Sequence, residues 1–258
     1  MGASPPANRR KSLAAYRRAR SFFSAKLLAQ EKAMLRLVIA LTLVLVGIQP
    51  TMAKIHTVYV GTYTGKTSKG IYAVSFNDKT GEIKKLGLAA KTTNPSFVAI
   101  HENGKYVYAV NETGEGTISA FKIKKGSYEL ELLNEKPSGG AAPCHLVIDG
   151  TGKNLLVANY SGGSVSVTRI NEKDGKLDEQ TAFIQHEGSS VDDRQKAPHG
   201  HSINISANNK FAIAADLGTD ELITYAFDAK AGSLKRSSAE KMKPGSGPRH
   251  FVFNPKSD

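Results

Sequence analysis

The sequence of 258 residues predicts an all-β fold, a β-propeller of four-stranded antiparallel blades, about four of which are present. Two observations predict it. Prolines recur at spacings of 48, 55 and 50 residues, and each is followed by apolar segments separated by turns that contain Gly or Asn. Repeats of this length indicate stacked supersecondary units. The recurring prolines are Pro95, Pro143, Pro198 and Pro248.

Each repeat contains four segments with the character of strands. The first two are apolar throughout, the third alternates and the fourth is more polar, which is the pattern expected when sheets stack around an axis. Asn and Gly in the intervening turns supply the positive φ that tight hairpins require. The predicted first strands are Phe97–Ile100, Leu146–Ile148, Ile203–Ile205 and Phe251–Phe253, the second Tyr106–Val110, Leu155–Ala158 and Phe211–Ala215, and the third Thr117–Ile123, Ser164–Ile170 and Glu221–Phe227.

The two ends of the repeat array leave the number of blades open. The segment from Thr57 to Leu88 fits the repeat without its first strand, through Tyr59–Tyr63, Gly70–Phe76 and Ile83–Leu88. That segment could pair with Phe251–Phe253 and close a four-bladed ring. We favour an incomplete larger ring, truncated at its C-terminus, because the repeat requires a turn and three more strands beyond Asp258.

Residues 1–53 are predicted to be a leader and residues 54–258 the propeller domain. The leader contains Leu37–Ile48, an uninterrupted apolar run of 12 residues, whereas a membrane span needs about 20. A basic residue before this run and Thr51-Met52-Ala53 after it are typical of a signal peptide. We therefore expect translation to start at Met34 and cleavage to follow Ala53.

The charge distribution agrees with this division of the chain. Of the net charge of +12, the leader contributes +8, and the remaining residues carry mixed charges with a net of +4. The excess therefore does not indicate a nucleic-acid partner. A single cysteine excludes an internal disulfide. We expect an exported monomer, periplasmic or extracellular, with no stable membrane span once the leader is removed.

Comparable residues begin each repeat near the central channel of the predicted ring. If the repeats are aligned on their prolines, Ser96, Cys144, His199 and Arg249 are equivalent. Four of the seven histidines cluster here, which packing alone explains poorly, although each imidazole could simply bond the backbone of a neighbouring strand. The resulting set is Cys144-His145, His199-Gly200-His201 and Arg249-His250.

Imidazole and guanidinium groups at one channel mouth suit an anionic or oxyanionic ligand. Hydrolysis of an ester or lactone uses both, because water must be activated and an oxyanion stabilised. A metal held by His199 and His201 is the rival interpretation. We rank it second because no Asp or Glu adjoins them in sequence, and we expect no metal and no cofactor. Cys144 is interpreted as an inert thiol.

Two further segments are weaker candidates. Asn111-Glu112 and Asn159-Tyr160 end second strands, where they either cap a turn or reach the same mouth. Asn159 is retained as a substrate-binding candidate. Ser189–Lys196 is an insertion between repeats, interpreted as a surface loop or as a lid over the site.

A family resemblance rests on five segments taken together: Tyr59–Thr64, Asn94–Phe97, Val157–Tyr160, Pro198–His201 and Gly247–Phe251. From Ile55 to Asp258 the chain resembles the seven-bladed propeller lactonases, which include bacterial 6-phosphogluconolactonase and fungal carboxymuconate cyclase. The resemblance implies a seven-bladed ring and hydrolysis of a sugar lactone to an aldonic acid without a required cofactor.

The resemblance also implies a catalytic set of one His, two Arg and one Glu at the channel mouth. The His matches the segment of His199 and His201, and one Arg matches Arg249, while the Glu and the second Arg would follow Asp258. On this basis we expect His199 or His201 to act as acid and base, and Arg249 with His250 to bind the oxyanion or acid group.

The remaining expectations concern the substrate. We expect His145, like Asn159, to bind the sugar lactone, and the export signal favours an unphosphorylated one. Two alternatives stay open: a non-catalytic exported propeller that binds a ligand or a protein partner, and a cycloisomerase acting on a muconate lactone.

Overall fold

The computed structural model describes residues 7–46 and 53–254, in two compact units that divide between Ala53 and Lys54. The assignment of residues 1–53 to a leader and 54–258 to a propeller domain stays a prediction. The first unit contains one described helix, α1 (Ala7–Val46), which includes most of the apolar run Leu37–Ile48. Within the described residues, no helix combines the length and the apolar character that crossing a membrane requires. The start at Met34 and the cleavage after Ala53 stay predictions.

The second unit consists of four antiparallel sheets, each with its strands in sequence order, as the repeat predicts. The first sheet has three strands and the other three have four. Blade 1 contains β1 (Ile55–Val60), β2 (Gly70–Asn77) and β3 (Ile83–Lys91); blade 2 contains β4 (Val98–Ile100), β5 (Tyr106–Asn111), β6 (Thr117–Ile123) and β7 (Leu130–Pro137); blade 3 contains β8 (Pro143–Ile148), β9 (Asn154–Asn159), β10 (Ser164–Ile170) and β11 (Leu177–Gln185); blade 4 contains β12 (Gly200–Ile205), β13 (Phe211–Asp216), β14 (Glu221–Asp228) and β15 (Ser233–Lys241).

The core of this unit lies between neighbouring blades. Every residue of β5 and β9 is buried, because each of these strands faces a blade on both sides. Along β5, Val107 and Ala109 pack toward blade 1, whereas Tyr108 and Val110 pack toward blade 3. This alternation follows from the two-residue period of a strand, and it explains why the second segment of each repeat is apolar throughout.

The first strands of blades 3 and 4 begin three residues earlier than predicted, at Pro143 and Gly200. The added residues pair with the ends of β9 and β13, and each pairing skips one residue, which forms a β-bulge. The skipped residues are Cys144 and His201. A bulge re-aims the side chain that it carries.

The pairing corrects the alignment of the repeats on their prolines. Pro143 pairs with Asn159 at the end of β9, and Gly200 pairs with Asp216 at the end of β13. Cys144 is therefore equivalent to His201 and not to His199. The alignment was wrong by two residues in blade 4 because Pro198 stands two residues farther from its strand than Pro143 does.

Two further predicted strands, Tyr59–Tyr63 and Phe251–Phe253, differ from the structure. In blade 1 the strand predicted at Tyr59–Tyr63 is β1, which ends at Val60. A Cβ added at the next residue, Gly61, would lie 2.2 Å from Pro95 O, so only glycine fits where the chain passes the segment before blade 2. The strand predicted at Phe251–Phe253 is not formed: residues 251–254 lie outside any strand. A strand needs a hydrogen-bonded neighbour, and none of the described strands pairs with this segment.

Leu156→Ala should lower the free energy of unfolding by about 2–5 kcal/mol, because truncation of a fully buried side chain leaves a cavity. Leu156 is fully buried between blades 3 and 4. The matched control is Leu132→Ala on β7, where the side chain is 55% exposed and the effect should stay below about 0.5 kcal/mol. Urea denaturation followed by far-UV circular dichroism measures both. Equal losses in the two variants would contradict a core between the blades.

Candidate functional site

His199 lies in the loop that enters β12, and four interactions hold it. Its backbone N–H donates to Asp216 Oδ1 at 2.8 Å, and its carbonyl accepts from Leu217 N at 2.9 Å. Its ring stacks on Tyr160, with centroids 4.5 Å apart and planes 12° apart. His199 Nδ1 lies 2.9 Å from Tyr160 O. A carbonyl only accepts hydrogen bonds, so Nδ1 carries the proton and the neutral ring has its lone pair on Nε2.

Asp216, at the end of β13, is the buried carboxylate behind this loop. Its Oδ1 accepts the backbone N–H groups of His199, Gly218 and Thr219 at 2.8 to 3.1 Å. Its Oδ2 lies 2.5 Å from Nδ1 of His186, whose Nε2 lies 2.7 Å from the hydroxyl of Tyr225. Burial raises the pKa of Asp216, but the hydrogen bonds from His186 and the backbone outweigh it and hold the pKa below its usual value.

His201, the bulge residue of β12, stands next to Arg249. Arg249 Nε donates to His201 Nε2 at 3.1 Å, and the rings of His250 and Tyr160 contact His201 edge-on at 4.8 and 5.5 Å. Burial, with smaller contributions from the charges of Arg249 and His250, lowers the pKa of His201 to about 4. Its Nδ1 is buried and has no hydrogen-bond partner in the described chain. His201 is therefore a neutral ring at neutral pH.

His145 lies on β8, next to the bulge residue Cys144. It is 8% exposed, its ring packs 4.3 Å from that of Phe97, and its Nδ1 accepts from Ile203 N at 3.3 Å. Burial lowers its pKa to about 4, with smaller contributions from His250 and His201. The structure shows a neutral ring packed against Phe97. The proposed contact of His145 with substrate stays a prediction.

Asn159 directly precedes Tyr160, and its side chain bonds to serine residues and not to the histidines. It is fully buried at the end of β9, and its amide nitrogen donates to Ser164 Oγ at 3.1 Å and Ser138 O at 3.4 Å. Its counterparts Asn111 and Asp216 also bond to the segment that precedes their own blade's first strand. This position fits the capping interpretation, and the assignment of Asn159 to substrate binding stays a prediction.

The thiol of Cys144 contacts backbone carbonyls and no activating base. Its Sγ lies 3.3 Å from His201 O and 3.6 Å from Gly200 O. Burial, with a smaller effect of the Glu112 charge, raises the pKa of Cys144 to about 12. The thiol is therefore protonated at neutral pH, as expected for a group that is not a nucleophile.

The structure places two residues at the site, Tyr160 and Glu112, that the sequence pattern indicated only weakly. Tyr160 contacts both His199 and His201, as described above. In blade 2, Glu112 Oε2 accepts from Ser96 Oγ at 2.5 Å and from Tyr63 OH at 2.8 Å. Glu112 and Tyr160 both follow the last residue of a second strand, so this shared position was the signal in the sequence.

The insertion Ser189–Lys196 reaches the site through Arg194. Arg194 Nε donates to the hydroxyl of Tyr160 at 2.9 Å, and its guanidinium lies 5.7 Å from the centre of that ring. The segment contains a short 3₁₀ helix, Asp193–Gln195, whose last residue is buried. Of the two interpretations of this insertion, contact with the site favours the lid.

The charges of the site fall on two sides. Arg194 and Arg249 form no ion pair within the described part of the chain, whereas Glu112 lies among hydroxyl groups of blades 1 and 2. Among the residues that the structure describes, no group of three or more His, Cys, Asp or Glu could hold a metal ion. The arrangement can therefore supply a proton acceptor at His199 and positive charge beside it.

The fold is a set of propeller blades, and His201, Arg249 and His250 come together beside the first strand of blade 4. Residues 57–258 match the family model described as "Lactonase, 7-bladed beta-propeller". The chain belongs to this family of seven-bladed propeller lactonases, as the motif resemblance implied.

Several named lactonases are similar to this chain. The 6-phosphogluconolactonase of Bacillus subtilis (strain 168) is 37% identical over 199 residues, which cover 77% of this chain and 56% of that protein. The 6-phosphogluconolactonase of Formosa agariphila is 39% identical, over 76% of this chain and 58% of that protein. The structure of the periplasmic gluconolactonase PpgL of Pseudomonas aeruginosa superposes with a TM-score of 0.73 at 28% identity, over 78% of this chain and 59% of that chain. The chain thus spans less than two thirds of each relative's length.

Replacing Arg249 by Met should raise the pKa of His201 above its value of about 4, because a neighbouring positive charge disfavours the imidazolium. The pKa should stay below 6.5, since burial is the larger cause. Arg249→Lys keeps the charge and is the matched control. Titration of the imidazole C–H resonances by NMR, assigned with His201→Asn, measures the change. An unchanged pKa in Arg249→Met would contradict the contact.

Proposed function

We propose that this domain hydrolyses a sugar lactone to the corresponding hydroxy acid, with His199 as the general base. The observation that carries the proposal is the fixed tautomer of His199. Its Nδ1–H is bonded to Tyr160 O, which leaves Nε2 as an acceptor without a partner among the described residues. A base oriented through Nδ1 by a backbone carbonyl is a recurrent arrangement for histidine. The names of the relatives support lactone hydrolysis.

The reaction follows from the groups at the channel mouth. His199 Nε2 removes a proton from water while the water oxygen attacks the lactone carbonyl carbon, and the carbonyl oxygen takes up the electron pair as an oxyanion. The Arg249 guanidinium stabilises that oxyanion, because donors aimed at developing charge act most strongly in the transition state. The tetrahedral intermediate then collapses, the ring C–O bond breaks, and His199 returns the proton to the leaving oxygen.

The neighbours of these two groups keep them in place. Asp216 holds the backbone of His199, and Tyr160 covers one face of its ring. His201 accepts from Arg249 Nε, so the guanidinium points its remaining donors elsewhere. Because His201 stays neutral at neutral pH, it orients Arg249 without competing for the oxyanion. Of the two histidines that the sequence left as alternatives for the base, we therefore propose His199 for that role and His201 for positioning.

His199→Ala should reduce kcat by about 10²- to 10⁴-fold, the usual contribution of a general base. Arg249→Ala should reduce it by about 10²- to 10³-fold, as for the loss of an oxyanion donor. His56→Ala is the matched control, because His56 lies in blade 1 and bonds Asp78. The assay follows acid release from gluconolactone, corrected for spontaneous hydrolysis. Full rates in both site variants would refute the assignment, and a wild-type chain that turns over no lactone would favour the non-catalytic alternative.

We also propose that the protein is exported. The basic, then apolar, then small-residue pattern of the leader supports this. The similarity to a periplasmic gluconolactonase of Pseudomonas aeruginosa also supports export. An exported enzyme would meet unphosphorylated lactones more often than sugar phosphates.

Expression of the full chain in a bacterial host should yield an exported form whose first residue is Lys54, because signal peptidase cuts after the small residue Ala53. N-terminal sequencing of the periplasmic fraction checks this. Leu43→Arg interrupts the apolar run and should keep the protein in the cytoplasm, whereas Leu43→Ile should not. Equal export of the wild type and Leu43→Arg would contradict the proposal.

A further inference from the structure

One buried carboxylate, that of Asp220, joins the two segments that carry the arginines of the site. Asp220 is 1% exposed. From the insertion, Gln195 Nε2 donates to its Oδ1 at 2.8 Å and Ser190 Oγ donates to its Oδ2 at 2.5 Å. From the segment before Arg249, the backbone N–H groups of Gly245 and Gly247 donate to it at 2.8 and 2.6 Å. The bases of both arginine segments are thereby fixed relative to each other.

Burial raises the pKa of Asp220, yet these hydrogen bonds outweigh it and hold the pKa at about 2. The carboxylate is therefore ionised throughout the physiological range, and both segments stay attached. Gln195 adds a second attachment by donating to Leu217 O at 2.7 Å. Arg194, next to this buried residue, consequently projects from a rigid support.

Tyr160 stands between the two arginines. Arg194 bonds its hydroxyl and lies over its ring, while the other edge of the ring system meets His201, which Arg249 contacts. The charges of both arginines contribute to the low pKa of His201. Within the described residues, no carboxylate lies within salt-bridge distance of either guanidinium. A guanidinium that has no carboxylate partner can bind a carboxylate or phosphate through two parallel hydrogen bonds.

We propose that Arg194 is a specificity-determining residue that binds an anionic substituent, phosphate or carboxylate, of the lactone substrate. The inference rests on the proposed function, in which Arg249 serves the carbonyl oxygen. Arg194 bonds the hydroxyl of Tyr160, whereas Arg249 bonds His201, so the two guanidinium groups have different neighbours and Arg194 is left for a second group of the substrate. The domain then favours sugar lactones that carry a negative charge over neutral ones.

The test compares the full chain with Arg194→Met, Arg194→Lys and Lys196→Met on three substrates: neutral gluconolactone, 6-phosphogluconolactone and a glucarolactone that bears a carboxylate. Arg194→Met should raise KM for at least one anionic lactone by about ten- to a hundredfold, the worth of a charge-assisted hydrogen bond. It should leave kcat and KM for gluconolactone within about twofold. The charged lactone that responds distinguishes phosphate from carboxylate.

The other variants sharpen the comparison. Arg194→Lys should lose part of the preference, because an ammonium keeps the charge without the planar fork. Lys196→Met removes a charge from the same segment, at a side chain that pairs with Asp193 and is 77% exposed, and should change nothing. Equal losses on neutral and charged lactones in Arg194→Met, or no loss on any, would overturn the proposal.

A binding measurement separates this inference from the proposed function. Calorimetric titration with gluconate, 6-phosphogluconate and glucarate requires no turnover. The wild type should bind at least one of the two acids that carry a second anionic group, 6-phosphogluconate or glucarate, more tightly than gluconate, and Arg194→Met should remove that advantage. If the wild type hydrolyses no lactone but shows this pattern, the proposed function fails and the role of Arg194 stands. If it binds all three acids equally, the role of Arg194 fails.

Discussion

The site depends on one turn, the four residues that connect β13 to β14. A buried carboxylate stands at each end of it: Asp216 fixes the backbone of the His199 loop, and Asp220 fixes the segments of Arg194 and Arg249. Between them, a Cβ added at Gly218 would lie 1.9 Å from Ala197 O, so the turn and the loop pack backbone against backbone. A buried carboxylate is costly unless donors satisfy it. N–H groups of the loops are the donors to Asp216 and Asp220. Movement of a loop would leave a buried carboxylate without its hydrogen bonds.

Burial of two histidines and the hydrogen bonds of Asp220 set how the domain responds to acid. The pKa values of His145 and His201, about 4, lie below the 6.5 of an exposed imidazole, so the unfolded chain binds protons first as the pH falls. Stability is therefore lost between about pH 6.5 and pH 4 and is constant below that as far as these rings are concerned. Asp220 acts in a lower window, from its usual 3.8 toward its pKa of about 2. Near neutral pH the Asp220 carboxylate favours the folded site, and the two neutral imidazoles do not oppose it.

The sequence predicted the blades well and the site only in part. Repeated prolines, paired apolar strands and Asn-Gly turns are local features, and they placed β6 and β10 to the residue. The bulges at Cys144 and His201 arise from pairing across a sheet, so an alignment on prolines misplaced blade 4 by two residues. Tyr160 and Glu112 gave a weak signal, one position after a second strand. Asp220 gave none, because its partners lie about 25 residues away on either side.

The division of charge across the mouth gives the proposed substrate an orientation. Blades 3 and 4, with the segment after β15, supply His199, Arg249 and Arg194, whereas blade 2 supplies Glu112, which already accepts two hydroxyl groups. A carboxylate accepts hydroxyl donors but repels an anion. An anionic sugar lactone would therefore place its charge toward Arg194 and its hydroxyl groups toward Glu112. That orientation brings the carbonyl to the side of His199, where a base with a free Nε2 is held by Asp216 and Tyr160.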